Sequence, residues 1–159
     1  MIKESVYIET SILSFYYDER PDPSIMVRRE WTREWWKNCR SDYTFITSMA
    51  VLDELNRGNK LHKGQALGLA MTLPAIAPTD EIAEIVQIYV AHHVMPKDPM
   101  GDALHLALAS FHKCDYLLTW NCQNIANANK FAHIRRINAL LGLHVPELVT
   151  PLQLMRQEP

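Results

Sequence analysis

Along nearly its whole length this chain alternates short β-prone runs with stretches of helical periodicity. Val6-Tyr7-Ile8, Tyr43 to Thr47, Ala75-Ile76-Ala77, Asp115 to Thr119 and Leu148-Val149-Thr150 read as strands. Strands that alternate with helices build βαβ units, and such units give a mainly parallel sheet covered on both faces. The expected fold class is therefore α/β, with ligands bound beyond the carboxyl ends of the strands. At 159 residues the chain suits one domain spanning 1–159.

The helices between these strands carry start and stop signals. A first helix is expected from about Ser11, broken at Pro21-Asp22-Pro23. Ser24 then caps a helix to about Cys39, with Val27, Trp31 and Trp35 spaced four apart as a core stripe. Ser48 opens a helix bearing Val51, Leu52, Glu54 and Leu55, which Gly58 ends. Another covers Lys60 to Met71, and a long one follows Thr79, with Ile82, Ile85, Val86 and Tyr89 on one face. Asp98 followed by Pro99 matches a cap with proline in the first turn, ahead of a helix packing Leu104, Ala107, Leu108 and Phe111. A last helix spans Ile134 to Leu141, with Gly142 past its end.

Composition narrows the class of protein. A chain 48% hydrophobic and 21% charged is an ordinary globular one rather than a disordered one. A formal net charge of −2 supplies no global attraction to nucleic acid, so phosphate binding would depend on local basic clusters or a bound cation. Cys39, Cys114 and Cys122 form no C-x-x-C pair and suggest neither a disulfide framework nor a thiolate zinc site. With no apolar run of spanning length and no signal-peptide pattern, a cytoplasmic protein without a membrane segment is expected.

Chemistry concentrates at four oxygen donors. Glu9 and Asn121 follow the first and fourth strands, while Glu54 and Asp102 sit near the beginnings of helices. Parallel topology lets all four meet at one edge of the sheet. Asp102 lies by the positive end of a helix dipole, which favours its charged form. Hard divalent cations take such oxygen ligands and retain several waters, so few carboxylates suffice. Without a cation, clustered acids would raise one another's pKa values. In phosphodiester hydrolysis the cation can activate water and neutralise charge on the phosphate.

Four segments carry a resemblance: Val6-Tyr7-Ile8-Glu9-Thr10-Ser11, Asp53-Glu54-Leu55, Asp102-Ala103-Leu104-His105-Leu106-Ala107 and Leu118-Thr119-Trp120-Asn121. In order and spacing they resemble a PIN domain, the nuclease fold that includes VapC-type toxins of toxin-antitoxin pairs. The resemblance implies a three-layer α/β/α fold and a ribonuclease dependent on Mg2+ or Mn2+, with Glu9, Glu54, Asp102 and Asn121 as catalytic metal-site residues. It also implies an RNA substrate, an antitoxin protein as partner and a homodimer. The family typically has aspartate where Glu9 stands, and often where Asn121 stands. A PIN-like module that binds RNA or protein with weakened catalysis is the alternative.

Other residues are weighed against plainer roles. Thr10 and Thr119 place hydroxyls beside the proposed ligands, where capping would equally explain them. His105, three residues after Asp102, is expected to touch it in a packing or supporting role. His92 and His93 are expected at the surface, and Asp53 faces about 100° away from Glu54 on a helix. Arg28, Arg29, Arg33 and Lys37 alternate with acids as a solvated face, whereas Arg57, Lys60 and Lys63 make a better phosphate track.

Overall fold

A computed structural model describes residues 2–95 and 101–155. Its sheet has five strands in the order β3-β2-β1-β4-β5: β1 (Ser5–Ile8), β2 (Thr44–Ser48), β3 (Ala75–Ile76), β4 (Tyr116–Leu118) and β5 (Glu147–Val149). Every pairing is parallel, with Val6 beside Phe45 on one side and Tyr116 on the other. Val6, Tyr7 and Ile8 are all fully buried although successive side chains point to opposite faces, so helices cover both sides of the central strand. This is the expected three-layer α/β/α arrangement.

The helices among the described residues are α1 (Thr10–Tyr17), α2 (Pro23–Cys39), α3 (Met49–Arg57), α4 (Lys63–Ala70), α5 (Asp80–Ala91), α6 (Asp102–Phe111) and α7 (Ala128–Leu141). Ser48 and Thr79 cap α3 and α5 by accepting from Val51 N and Ile82 N. Gly142 ends α7 at φ 69°, a left-handed position that glycine occupies without steric cost. The cap of α2 is Asp22 rather than Ser24: its carboxylate accepts from the Ser24 and Ile25 amides, with Pro23 in the first turn. The helix expected from Lys60 starts only at Lys63, and α7 starts at Ala128, earlier than expected, capped by Asn127. Asp98 and Pro99 lie outside the described residues.

Aromatic packing fills the side of the sheet under α2. Trp35 stacks on Phe45 at 4.9 Å between ring centres, and Trp36 meets the same ring edge-on. Of the expected stripe, Trp35 is core and Trp31 is partly buried against it, but Val27 is 53% exposed; Trp36, beside the stripe, is core too, so Trp35 and Trp36 offer no surface for a homodimer. Elsewhere, Tyr89 of α5 donates to Asn138 of α7 at 2.5 Å, and the Asn138 amide donates to Ser110 of α6 at 3.0 Å. That network fixes three helices through groups that would be costly to bury unpaired. No helix among the described residues is long and apolar enough to cross a membrane.

Part of the basic stretch on α2 does more than face water. Arg29 donates to the Asp18 carbonyl at 2.9 Å and Arg33 to the Tyr16 carbonyl at 2.8 Å, satisfying the carboxyl end of α1. The Asp18 carboxylate, nearly buried, receives the Arg20 guanidinium at 2.6 Å. Hydrogen bonds from Arg20, working against burial, hold its pKa at about 2, below the ordinary 3.8. Because the folded value is depressed, the stabilisation is present above pH ~4 and is lost as pH falls towards ~2. Arg20 is 63% exposed, so solvent screening keeps the contribution small. Asp18→Asn is expected to lower stability slightly in urea unfolding at pH 7, with the difference closing near pH ~2–3. A difference independent of pH would show that the ion pair is not its source.

Candidate active site

The chain builds β1, β2 and β3 outward in one direction, then returns to place β4 and β5 on the other side of β1. The reversal leaves a crevice beyond the carboxyl ends of β1 and β4, the usual ligand position in such sheets. Glu9 is the first residue past β1, and its amide extends the ladder by donating to Leu118 O at 3.2 Å. Its side chain is 7% exposed. One oxygen, Oε1, accepts from Thr119 Oγ1 at 2.6 Å and from Ser11 Oγ at 2.5 Å. Ser11 Oγ in turn accepts from the Trp120 amide at 2.8 Å, tying the start of α1 to the exit of β4.

Glu54 reaches the same crevice from α3. Thr10 Oγ1 donates to its Oε2 at 2.7 Å, and His105 Nε2 lies 2.7 Å from its Oε1. The same His105 nitrogen is 4.0 Å from Glu9 Oε2. Behind the imidazole, Nδ1 lies 2.7 Å from the Tyr7 hydroxyl, which lies 2.7 Å from Ser48 Oγ. Tyr7, Ser48 and His105 are all buried, so their polar atoms depend on one another rather than on water.

Electrostatics follow from this arrangement. Burial draws the His105 pKa down, but the hydrogen bond to Glu54 and the charges of Glu9, Glu54 and Asp102 outweigh it and leave it above the ordinary value. For Glu54, burial pushes upward, and the bond and charge of His105 with the Thr10 hydroxyl hold the carboxyl below its ordinary value. Burial above all raises the Tyr7 phenol well above its usual range, so it stays protonated. The imidazole is therefore held by a carboxylate at one ring nitrogen and by the Tyr7 hydroxyl at the other.

Asp102 and Asn121 form the second half of the site. Asp102 stands in the first turn of α6, and its Oδ1 accepts from Asn121 Nδ2 at 2.8 Å. The Asn121 oxygen accepts from the Asn124 amide at 3.0 Å, and its backbone amide donates to Thr119 Oγ1 at 2.9 Å. Thr119 thus contacts both halves. An amide at 121 can donate to Asp102, where a second carboxylate would repel it.

The four residues singled out from sequence therefore lie along one edge, with Glu9 and Glu54 drawn together and Asp102 paired with Asn121. Asp53 is exposed and apart, as expected. Sequence reasoning placed His105 against Asp102, whereas it hydrogen-bonds Glu54 and Tyr7. Glu9, Glu54 and His105 each offer a ligand atom, all within 4.8 Å of one another. A divalent cation here would draw its oxygens from Glu9 and Glu54, since the imidazole is already engaged with Glu54 at 2.7 Å. The signal for His105 was an imidazole inside the otherwise apolar run Ala103 to Ala109, and for Tyr7 a phenol in a fully buried strand.

Among solved structures, the chain is similar to VapC20 of Mycobacterium tuberculosis, described as a toxin that cleaves the sarcin-ricin loop. The TM-score is 0.57 over 74% of this chain and 91% of that one, at 16% identity. The chain has the VapC-type PIN-like fold. No protein-family profile matches the sequence, and no curated protein matches it.

In this PIN-like fold, the Tyr7 hydroxyl is the one group that bridges Ser48 and His105. Tyr7→Phe keeps the ring but leaves the buried His105 Nδ1 without its partner and Ser48 Oγ with only the Val51 amide. A loss of about 1–3 kcal/mol in chemical unfolding is expected. A change within about 0.5 kcal/mol would show that water or a rearranged side chain replaces the phenol.

Proposed function

We propose that this chain is an endoribonuclease dependent on a divalent cation, Mg2+ or Mn2+, and the toxin of a toxin-antitoxin pair. The observation that carries the proposal is the convergence of Glu9 and Glu54, with Asp102 alongside, in the strand-end crevice of a VapC-type PIN-like fold. VapC20, which shares that fold, is a toxin acting on RNA, and this supports RNA as the substrate class. An antitoxin protein would be the partner that silences it.

Glu9, Glu54 and Asp102 would hold the cation, with Asn121 contributing through its oxygen or through water. The bound ion would supply charge opposite the scissile phosphate and a water of lowered pKa. The residues of the chain do the positioning. Ser11 and Thr119 anchor Glu9 Oε1, leaving Oε2 on the side of His105 and Glu54. The two hydroxyls restrain a side chain one methylene longer than aspartate. Thr10 and His105 fix both oxygens of Glu54. Asn121 holds Asp102 by its amide nitrogen and keeps one lone pair of its oxygen beyond the Asn124 bond.

Purified protein should cleave a mixed RNA pool with Mg2+ or Mn2+ and stop when a chelator is added. Asp102→Asn should fall at least ~100-fold, equivalent to about 2.7 kcal/mol of lost barrier lowering, while Asp53→Asn cleaves as wild type does. Undiminished cleavage by folded Asp102→Asn would overturn the assigned mechanism. Absence of cleavage by folded protein with every metal would transfer the assignment to an RNA- or protein-binding module.

A further inference from the structure

We propose that Lys60, His62 and Lys63 form a phosphate subsite for RNA, one step along the strand from the crevice that holds Glu54. This rests on the nuclease reading only for the identity of the ligand. A cavity of about 210 Å³ joins the two places: Thr10, Ser14 and Glu54 line one part, and Lys60, His62 and Lys63 line another. Glu54 and Thr10 are the hydrogen-bonded pair already described, so the cavity opens directly from the candidate active site.

Three independent features suit the subsite to a phosphate oxygen. First, two lysines lie within four residues, Lys60 on the connection into α4 and Lys63 in its first turn. Lys63 Nζ spends one donor on the Asn56 carbonyl at 2.8 Å and keeps two, since an ammonium has three. Second, His62 lines the cavity beside the two lysines, and its Nε2 is buried with no hydrogen-bond partner among the described residues. Third, His62 occupies the cap position of α4 without capping it through its side chain, so the positive end of that helix dipole is left to another acceptor. Arg57, the remaining member of the basic cluster, is absent from the lining and donates to the Asp53 carbonyl.

The subsite also has an exit. Lys60 and His62 line a second cavity of about 540 Å³, together with Tyr17, Arg20 and Leu61. Asp18 and Glu19 border it as well, but the Asp18 charge is already matched by Arg20. A strand leaving the phosphate subsite would therefore set its next nucleoside against Tyr17 and the exposed Leu61, where base stacking and apolar contact are sequence-tolerant.

The test is the salt dependence of RNA binding, measured by fluorescence anisotropy with a short labelled single-stranded RNA in chelator, where no cleavage occurs. Lys60→Gln/Lys63→Gln removes two charges and keeps an amide donor for Asn56. Each single-strand phosphate contact contributes about 0.7 to the slope of log affinity against log salt, so the pair should lose about 1.4 of slope and bind about tenfold more weakly at low salt. Arg135→Gln/Arg136→Gln, exposed on α7, should match wild type. Should the lysine pair melt early, Lys60→Gln alone is expected to lose about half that slope. An unchanged slope in folded lysine variants would overturn the subsite, as would equal losses in both pairs. Cleavage by wild type with Mg2+ is scored separately on the same RNA. Slope loss with no cleavage of the mixed RNA pool under any metal would refute the nuclease while leaving the subsite standing, and cleavage without slope loss would do the reverse.

Discussion

Two carboxylates share one buried imidazole, and much of the surrounding architecture serves to make that tolerable. Glu9 and Glu54 would repel each other in a place almost closed to water. His105 hydrogen-bonds Glu54 and lies 4.0 Å from Glu9, and Thr10, Ser11 and Thr119 supply further hydrogen bonds. The hydroxyls come from the exits of β1 and β4, so the strand register that brings Ile8 beside Leu118 also brings the polar groups together. Burial of the imidazole further requires a partner for its second nitrogen, which Tyr7 provides from inside the central strand.

The fold accomplishes this through the place where the sheet changes direction. Parallel strands aim all their carboxyl ends at one edge, and the reversal beside β1 opens a gap there that no crossover fills. Helices α3 and α6 approach the gap from separate crossovers, carrying Glu54 and the pair Asp102 and His105. The tightly packed aromatic cluster of Trp35, Trp36 and Phe45 lies toward β2, where it can be wholly apolar without competing with the polar crevice.

Strand positions, most helix starts and the four oxygen donors at the edge were legible because each has a local cause: β-branched runs, capping hydroxyls, glycine at a left-handed stop. What was not legible depends on neighbours distant in sequence. Ser24 and Asp22 are both competent caps, and only the geometry of Pro23 in the first turn decides for Asp22. The early turns of α7 are polar and partly exposed, so their periodicity is weak and Asn127 does not stand out among several asparagines. Arg29 and Arg33 look solvated beside Glu30 and Glu34, yet the carbonyls they satisfy belong to another helix. His105 was assigned the nearest acid in sequence, whereas its partner lies 51 residues away on α3.

The bond between Thr119 and Glu9 joins residues 110 positions apart, and Trp120 to Ser11 spans 109. Both halves of the crevice therefore remain apart until β4 has inserted beside β1. During synthesis on a ribosome, β1, β2 and β3 can associate early, but Glu9 stays without its hydroxyl partner from β4 until about three-quarters of the chain is made and has cleared the exit tunnel. The crevice is thus completed near the end of translation, after almost every other element has found its place.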